Sequence, residues 1–199
     1  MIIYATKETV SRFKLKMPED IGEVARRTVA LDILTEEGGD PMLEWGAKLF
    51  YFDRRKCLQV IHFASRLTIF LADIKVKDTP MIPQSVADYL LDLYADDAQM
   101  QSLIVKLLST HDLVVYSRLK DRSMISQLNT TQRDYLYDGD RLYAYIGDGV
   151  LHLRQLNRDF NWGYIPGGKT ADGKADYRYP GERFAAMLKA YDQHAPAAR

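Results

Sequence analysis

The chain has a single cysteine, no surplus of charge of either sign and no long apolar run. Because Cys57 is the only cysteine among 199 residues, no disulfide can form within the chain. Lysine and arginine together number 27, and so do aspartate and glutamate. This balance excludes a global field that would draw the protein to nucleic acid or to an acidic membrane, and it leaves open binding by a local patch.

The sequence also lacks a membrane or export signal. No stretch approaches the ~18 apolar residues of a membrane-spanning helix. The opening MIIYATKETV is too short in apolar length for a signal peptide and has no basic leader. We therefore expect no membrane contact and a cytoplasmic location, which a reduced lone thiol fits.

The residues of common catalytic and metal sites are not spaced for those roles. Cys57 starts an apolar run, which predicts a small buried side chain rather than a nucleophile. His62 follows five positions later, and an odd offset within a strand puts two side chains on opposite faces. No ligand spacing or G-x-S-x-G elbow occurs, so we predict no metal and no cofactor, and the catalytic residues, if any, stay unknown. The histidines in question are His62, His111, His152 and His194.

One stretch matches a nucleotide-binding motif letter for letter. Gly163–Thr170 reads GYIPGGKT, which satisfies G-x-x-x-x-G-K-[ST]. That loop needs a strand before it and a helix after it, so that backbone N–H groups surround the phosphates. Here polar Asn157–Asn161 precedes it, and Gly173 interrupts the residues that follow. We therefore predict a surface loop.

A second stretch has the acidic spacing of a calcium loop. Asp138, Asp140 and Asp148 place carboxylates at short offsets that suit a hard cation. The position that should carry a bidentate glutamate is Gly149, however. The pattern is therefore typical of turns.

The most informative segment is strongly apolar and runs from Trp45 to Asp73. It predicts three strands joined by a charged turn and a short turn, and such short connections require antiparallel neighbours. Both faces of Leu67–Leu71 are apolar, so we predict a central rather than an edge strand there. Ile2–Ala5 and Leu113–Tyr116 are predicted as further strands, the latter at a sheet edge.

Helical periodicity and start signals predict helices on both sides of this segment. For Arg141–Ile146 the pattern does not separate strand from helix. The expected helix starts are Thr6, Pro18, Pro83, Asp96 or Asp97, Ser123 (as N-cap of a helix over Met124–Tyr137), Leu153 and Pro180. Together these elements predict an α+β fold with a mainly antiparallel sheet of about four or five strands. Residues 1–199 are predicted to form one domain, with a sheet-plus-helix core (1–120) and a mainly helical and loop extension (121–199).

The charged turn is the best candidate site. Arginine side chains at a hairpin tip can bind phosphate or carboxylate, whereas the alternative is a solvated turn in which Asp53 offsets its neighbours. Two further polar clusters could converge on this tip, although each alone fits a capping or turn role. One of these clusters pairs Asn157 with Asn161, and the other begins at Asp121. The candidate anion- or partner-binding residues are Asp53, Arg54, Arg55, Lys56, Arg122, Ser123 and Asn129.

The chain has 13 tyrosines, and several of them lie in its C-terminal half. Aromatic rings beside basic residues can stack on single-stranded nucleic acid. They also mark protein interfaces, because one end of the tyrosine ring is apolar and the other is polar. The neutral net charge favours the interface.

Four stretches, in order, resemble a family of uncharacterised bacterial and archaeal domains. The opening MIIYATK resembles the family's apolar triplet with Thr-Lys, and Trp45–Lys56 resembles its Trp-x-Ala-x-Leu and Asp-Arg signature. Asp121–Asn129 resembles its Asn-Arg-Ser…Gly-Ser-Met-Asn element, and Leu153–Asn161 resembles a final helix that contains asparagine. The resemblance covers roughly residues 1–165 and implies one continuous domain without implying an activity.

This chain departs from the family pattern at three positions. Asp121, Ser126 and Thr130 stand where the family usually has Asn, Gly and Asp. The resemblance therefore supports a shared fold more than a shared ligand.

Three functional hypotheses follow. The first is a non-enzymatic interaction or regulatory module with an unknown protein partner or self-association, because no catalytic group of residues is found. The second is an enzyme or binder that acts on a phosphate-bearing ligand through a basic cleft. The third is direct binding of nucleic acid, which the neutral charge disfavours without excluding it.

Overall fold

Five strands form one mixed sheet at the centre of the protein, whose computed structural model describes residues 1–166 and 174–194. In chain order they are β1 (Ile2–Ala5), β2 (Glu44–Phe52), β3 (Arg55–His62), β4 (Thr68–Leu71) and β5 (Val115–Arg118). Across the sheet the order is β4-β3-β2-β1-β5. A separate two-residue hairpin consists of β6 (Ile146–Gly147) and β7 (Val150–Leu151).

Seven α-helices surround the sheet in the described part of the chain. They are α1 (Lys7–Phe13), α2 (Val24–Glu36), α3 (Ile82–Leu93), α4 (Ala98–Thr110), α5 (Arg122–Thr131), α6 (Leu153–Gly163) and α7 (Pro180–His194). Shorter turns of 3₁₀-helix cover Pro18–Asp20, Val76–Met81 and Asp138–Tyr145, and one π-helical turn covers Gln132–Leu136. In residues 1–166 and 174–194, no helix is both long and apolar enough to cross a membrane.

The pairing of the strands confirms the α+β fold and corrects the predicted sheet. β2 with β3 and β3 with β4 are antiparallel, as their short connections require. β1, however, is parallel to both of its neighbours, β2 and β5, so the sheet is mixed rather than mainly antiparallel. Parallel pairing is available to β1 because helices separate it from β2 along the chain, and a long crossover permits it.

Both faces of the sheet are covered, and the side chains alternate between them. The first face points to α1, α3, α4 and α7 and carries residues such as Ala47, Leu49 and Val60. The second face points to α5, α6 and the π-helical turn and carries Phe50 and Phe70. The largest apolar cluster of the described chain lies on the first face.

Cys57 and His62 lie on opposite faces, as predicted. Cys57 belongs to the second-face cluster with Phe50 and Phe70. The His62 ring lies 5.0 Å from the Trp45 ring and 5.1 Å from the Phe184 ring, measured between centroids, and both of those residues belong to the first-face cluster. The two side chains therefore cannot act on one substrate atom.

β4 is an edge strand of the described sheet, which corrects the predicted central position. Its outer edge is occupied by side chains of α6. The Thr68 N–H donates to Asn161 Oδ1 (2.9 Å), and Asn161 Nδ2 donates back to the Thr68 carbonyl (2.7 Å). Asn157 makes the same pair of bonds with Phe70 (2.7 and 3.2 Å). The apolar pattern predicts a central strand because both faces are buried, and it does not show what occupies the edge of the strand.

Helix geometry explains why two asparagines can replace a strand. Residues four apart on a helix are separated by about 6 Å along its axis. Alternate residues on a strand are separated by about 6.8 Å. The amides of Asn157 and Asn161 therefore meet alternate residues of β4 almost in register, and both side chains are fully buried.

The helix starts are confirmed at some positions and corrected at others. Thr6 caps α1 and Asp97 caps α4, as predicted. Asp121, not Ser123, caps α5, because its Oδ1 accepts from the Ser123 N–H (2.7 Å) and the Met124 N–H (3.1 Å). Aspartate is an equally good N-cap, and the sequence offers both residues side by side.

Three further elements differ from the sequence pattern. Pro18 starts only a 3₁₀ turn, and the helix itself begins at Val24. The helix predicted over Met124–Tyr137 is α5 followed by the π-helical turn. Most of Arg141–Ile146 is 3₁₀-helix, and the last residue starts β6.

Candidate functional site

The tip of the β2–β3 hairpin is a two-residue turn with an unfavourable sequence. Phe52 pairs with Arg55, so Asp53 and Arg54 alone connect the strands. Both have positive φ angles, 46° and 62°, which are the values of a type I′ turn. Such turns favour Asn-Gly or Asp-Gly, because a side chain in the left-handed region is strained. Arg54 therefore holds a conformation that glycine would adopt more easily.

The acidic residues at the tip do not neutralise all of its bases. Tyr143 donates its hydroxyl to Asp53 Oδ1 (2.7 Å), which draws this carboxylate to the second-face side. Arg55 Nη1 is 3.9 Å from Asp73 Oδ2, and both side chains are more than half exposed. Exposed pairs of this length contribute little. Arg54 and Arg55 are both left exposed at the tip.

Lys56 points away from these residues, to the first face. Its Nζ donates to the Arg12 carbonyl (3.3 Å) and lies 5.9 Å from the centre of the Phe13 ring. A lysine ammonium is attracted to the face of an aromatic ring within about 6 Å. These two contacts with α1 direct the ammonium group toward that helix.

The start and end of α1 determine which of its residues reach solvent. Thr9 donates its N–H to the capping Thr6 hydroxyl (3.4 Å), and Thr9 Oγ1 accepts from the Leu49 N–H (2.8 Å). Phe13 is fully buried in the first-face cluster, and Lys14 ends the helix in the left-handed region (φ 54°). The remaining side of this short helix is polar and exposed.

A cleft of about 680 Å³ opens between this polar side of α1 and Lys56. Four cations and one acid line it, which gives the cleft a positive potential. Among the described residues, no carboxylate lies within ion-pair distance of any of the four cations. The cleft is lined by Lys7, Glu8, Ser11, Arg12, Lys14, Lys56 and Val76.

The other predicted site residues lie away from this cleft. Asn129 Oδ1 accepts from Lys48 Nζ (2.6 Å) on the second face, so the sheet separates it from Lys56. Arg122 and Ser123 are exposed in the first turn of α5, which packs on that second face through Leu128. The structure therefore keeps Asp53, Arg54 and Arg55 at the tip, directs Lys56 to the cleft on the first face, and does not bring Asn129 to that cleft.

Sequence reasoning missed Lys7, Arg12 and Lys14, which supply three of the four cations of the cleft. A usable signal was present, because these bases are exposed positions within or directly after the short helix α1, whose buried residues are Thr9 and Phe13. No local sequence pattern indicates that these bases lie near Lys56, since more than forty positions of chain separate Arg12 from it.

The second face holds polar side chains with structural partners. Lys48 is half-buried, and burial lowers the pKa of its ammonium group, against the attraction of Glu8. Gln132 is buried, and its Nε2 donates to the Leu49 carbonyl (3.4 Å). With Asn129, these contacts attach α5 and the π-helical turn to β2.

Nucleophilic and metal chemistry find no support in the described chain. Burial is the main cause that raises the pKa of the Cys57 thiol, so the thiolate is disfavoured. Burial lowers the pKa of His62 to about 4, against the opposing effect of the Met42 and Pro41 backbone. Within residues 1–166 and 174–194, no three His, Cys, Asp or Glu side chains are grouped as a metal site would need.

The motif-like stretches have the contexts that were expected of turns, where the structure describes them. Gly163 is the last residue of α6, so a helix rather than a strand precedes the GYIPGGKT stretch. Its residues Gly167–Thr170 lie outside the described part of the chain. Asp148 and Gly149 form the turn between β6 and β7, with φ angles of 51° and 74°. The side chains of residues 138–140 lie outside the described residues.

Comparison with known proteins gives one family for this chain, whose function is unknown. No curated protein matches the chain significantly. One family does match, over residues 2–183, so the match includes the sheet, the tip of the β2–β3 hairpin, α1 and the asparagines of α6. The chain therefore belongs to the family described as Domain of unknown function (DUF6933).

Proposed function

We propose that the protein is a non-enzymatic interaction module that binds a phosphate-bearing ligand in the cleft between α1 and Lys56. The proposal joins the first sequence-based hypothesis, an interaction module, with the ligand of the second. A protein partner or self-association stays a prediction beside it. One observation carries the proposal: four cations that have no carboxylate partner among the described residues border one cleft of about 680 Å³.

The charge of the cleft supports a phosphate ligand. Like charges held close together raise the free energy of the unliganded protein, and an anion among them relieves that repulsion. Lys56 is directed by the Arg12 carbonyl and the Phe13 ring, so less of its side-chain freedom is lost on binding. Lysines are frequent phosphate ligands as point charges, and Arg12 adds a planar group that can bind two oxygens.

The residues of the cleft support binding more than catalysis. Cys57 and His62 are buried elsewhere, and Glu8 is the only carboxylate among the lining residues. A general base needs a pKa near the working pH and a position within hydrogen-bond reach of the reacting proton. A cleft that binds an anion but places no general base or nucleophile beside it is the arrangement of a binding module.

Calorimetric titration with inorganic tripolyphosphate tests this function. We expect the wild-type chain to bind and Lys56→Gln to bind about fivefold more weakly, because removing one charge at ~4 Å in a solvated site costs about 1 kcal/mol. Binding should also weaken as salt is raised.

Lys189→Gln is the matched control, since it removes the same charge from α7, where Lys189 is half-buried and does not line the cleft. It should leave the affinity at the wild-type value. The proposal fails if wild type does not bind tripolyphosphate or if both variants weaken binding equally.

A further inference from the structure

We propose that the phosphate-bearing ligand of the cleft is single-stranded nucleic acid, with phosphates among the cleft cations and one base stacked on Tyr51. This inference rests on the proposed function and adds to it the chemical class of the ligand. It arises from an aromatic ring beside the cleft, that of Tyr51, which is 42% exposed.

Tyr51 and Lys56 are direct neighbours across the β2–β3 ladder. Side chains opposite each other in an antiparallel pair lie on the same face, with Cβ atoms about 5 Å apart. Tyr51 therefore stands on the first face, beside the ammonium group that closes one side of the cleft. The preceding pair on that face, Leu49 with Leu58, is buried, whereas Tyr51 is 42% exposed.

An exposed ring beside a cluster of cations suits an unpaired base. Every nucleobase has a flat face that can stack on an aromatic side chain, and adjacent cations then bind the backbone phosphates. Inorganic phosphate or a phosphorylated side chain would use the cations and leave the ring without a role. A base within a duplex is already stacked on both sides, so the geometry favours a single strand.

Further basic side chains continue from the cleft in two directions. Arg54 stands exposed at the hairpin tip, whereas Arg55 pairs with Phe52 and lies on the second face. Lys75 and Lys77 are exposed on either side of Val76, which lines the cleft. The acids in this region are Glu8, Asp53, Asp73 and Asp78, and Asp78 already accepts from the Lys75 N–H (3.0 Å). A chain of phosphates can follow such a path, whereas one small anion fills only its centre.

The neutral net charge of the protein restricts this binding to the local patch. The affinity should therefore depend on the few phosphates that the patch contacts. With the four cleft cations engaged, the logarithm of the affinity should fall with the logarithm of salt concentration at a slope of about −3, at ~0.7 per phosphate for single strands.

The test compares two ligands on the full chain. A short fluorescent oligothymidylate is titrated by anisotropy, and tripolyphosphate by calorimetry, with wild type, Tyr51→Thr and Tyr51→Phe. Threonine removes the ring and suits a strand, so the fold is retained, and the unfolding temperature checks this. We expect Tyr51→Thr to weaken oligothymidylate binding about tenfold, since stacking carries that much for one base. Tyr51→Phe should bind as wild type, and tripolyphosphate should bind all three alike.

Tyr177→Ala is the control for loss of an exposed ring, because Tyr177 is 77% exposed and does not line the cleft. It should not change oligothymidylate binding. If Tyr51→Thr and wild type bind oligothymidylate equally, the stacking inference is wrong. If tripolyphosphate binds and oligothymidylate does not, this inference fails while the proposed function stands, and if neither ligand binds, both fail.

Two further ligands complete the test. The matching duplex should bind more weakly than the single strand, and a duplex that binds as tightly would contradict the need for an unpaired base. Free thymidine triphosphate should also bind more weakly than oligothymidylate, because it cannot reach the basic side chains that flank the cleft. Equal affinity would mean that the ligand is a free nucleotide rather than a strand.

Discussion

The outer edge of β4 and the tip of the β2–β3 hairpin both depend on polar side chains, under opposite conditions. At the edge, Asn157 and Asn161 are fully buried, and their amides exchange hydrogen bonds with Phe70 and Thr68. At the tip, Arg54 is exposed and strained. Buried amides with complete hydrogen bonding stabilise a fold, whereas strain and unused charge at a surface are typical of a binding site.

The largest expected effect comes from removing both amides of α6. The double variant Asn157→Ala/Asn161→Ala leaves the N–H and carbonyl groups of Thr68 and Phe70 without their partners. At about 1 kcal/mol or more for each orphaned group, the free energy of unfolding should fall by about 5 kcal/mol, measured by urea denaturation.

Asn129→Ala is the control for this comparison, because Asn129 is exposed and makes a single side-chain bond to Lys48. It should change the unfolding free energy by less than about 1 kcal/mol. An equally large loss for Asn129→Ala would show that burial of the amides does not distinguish the two sites.

A buried titratable group should produce the next largest effect. His62 is fully buried, and burial lowers its pKa from 6.5 to about 4 in the folded protein. The unfolded chain therefore takes up a proton before the folded chain does. The resulting stability is present above pH 6.5 and is lost as the pH falls toward 4, by about 3 kcal/mol in total.

Denaturation measured across this pH window checks the loss, and the NMR signals of the His62 ring report the folded-state pKa. A ring that titrates near 6.5 in the folded protein would contradict the assigned burial effect.

The smallest expected effect concerns the strain at the hairpin tip. The protein has a second turn of the same kind, with which the tip can be compared. Asp148-Gly149 between β6 and β7 has the favoured sequence, and Asp53-Arg54 does not. Arg54→Gly should therefore stabilise the protein by about 1 kcal/mol, since it relieves left-handed strain. Gly149→Ala should cost a similar amount, because a Cβ there has open space and only the backbone is strained.

Thermal unfolding measures both substitutions. Should Arg54→Gly destabilise the protein, the turn is not strained in the way its φ angle indicates. If it stabilises the protein and weakens oligothymidylate binding, the arginine is retained for binding at the expense of stability.

The local part of the fold was predictable from the sequence. The three strands of Trp45–Asp73, the caps at Thr6 and Asp97 and the strand before α5 all follow from periodicity and turn chemistry, which depend on neighbouring residues. The parallel pairing of β1 was not predictable, because it joins segments that are separated by helices. No local pattern reports such a pairing.

The same limit applies to the candidate site. The tip residues Asp53–Lys56 are adjacent in the sequence, so their charge density was visible there. The cleft appears only when α1 packs beside Lys56. Asn157 and Asn161 were visible as a pair, but their role depends on the edge of β4, almost ninety positions away in the chain.

The two asparagines of α6 also restrict which sequence changes this chain can tolerate. Arg158 and Asp159, between them, are exposed and can be substituted without disturbing β4. One inserted or deleted residue would instead rotate the second amide by about 100° around the helix. At this helix, the fold therefore depends on the length of the interval as well as on the identity of its ends, and an insertion would need a compensating deletion within the interval to restore the register.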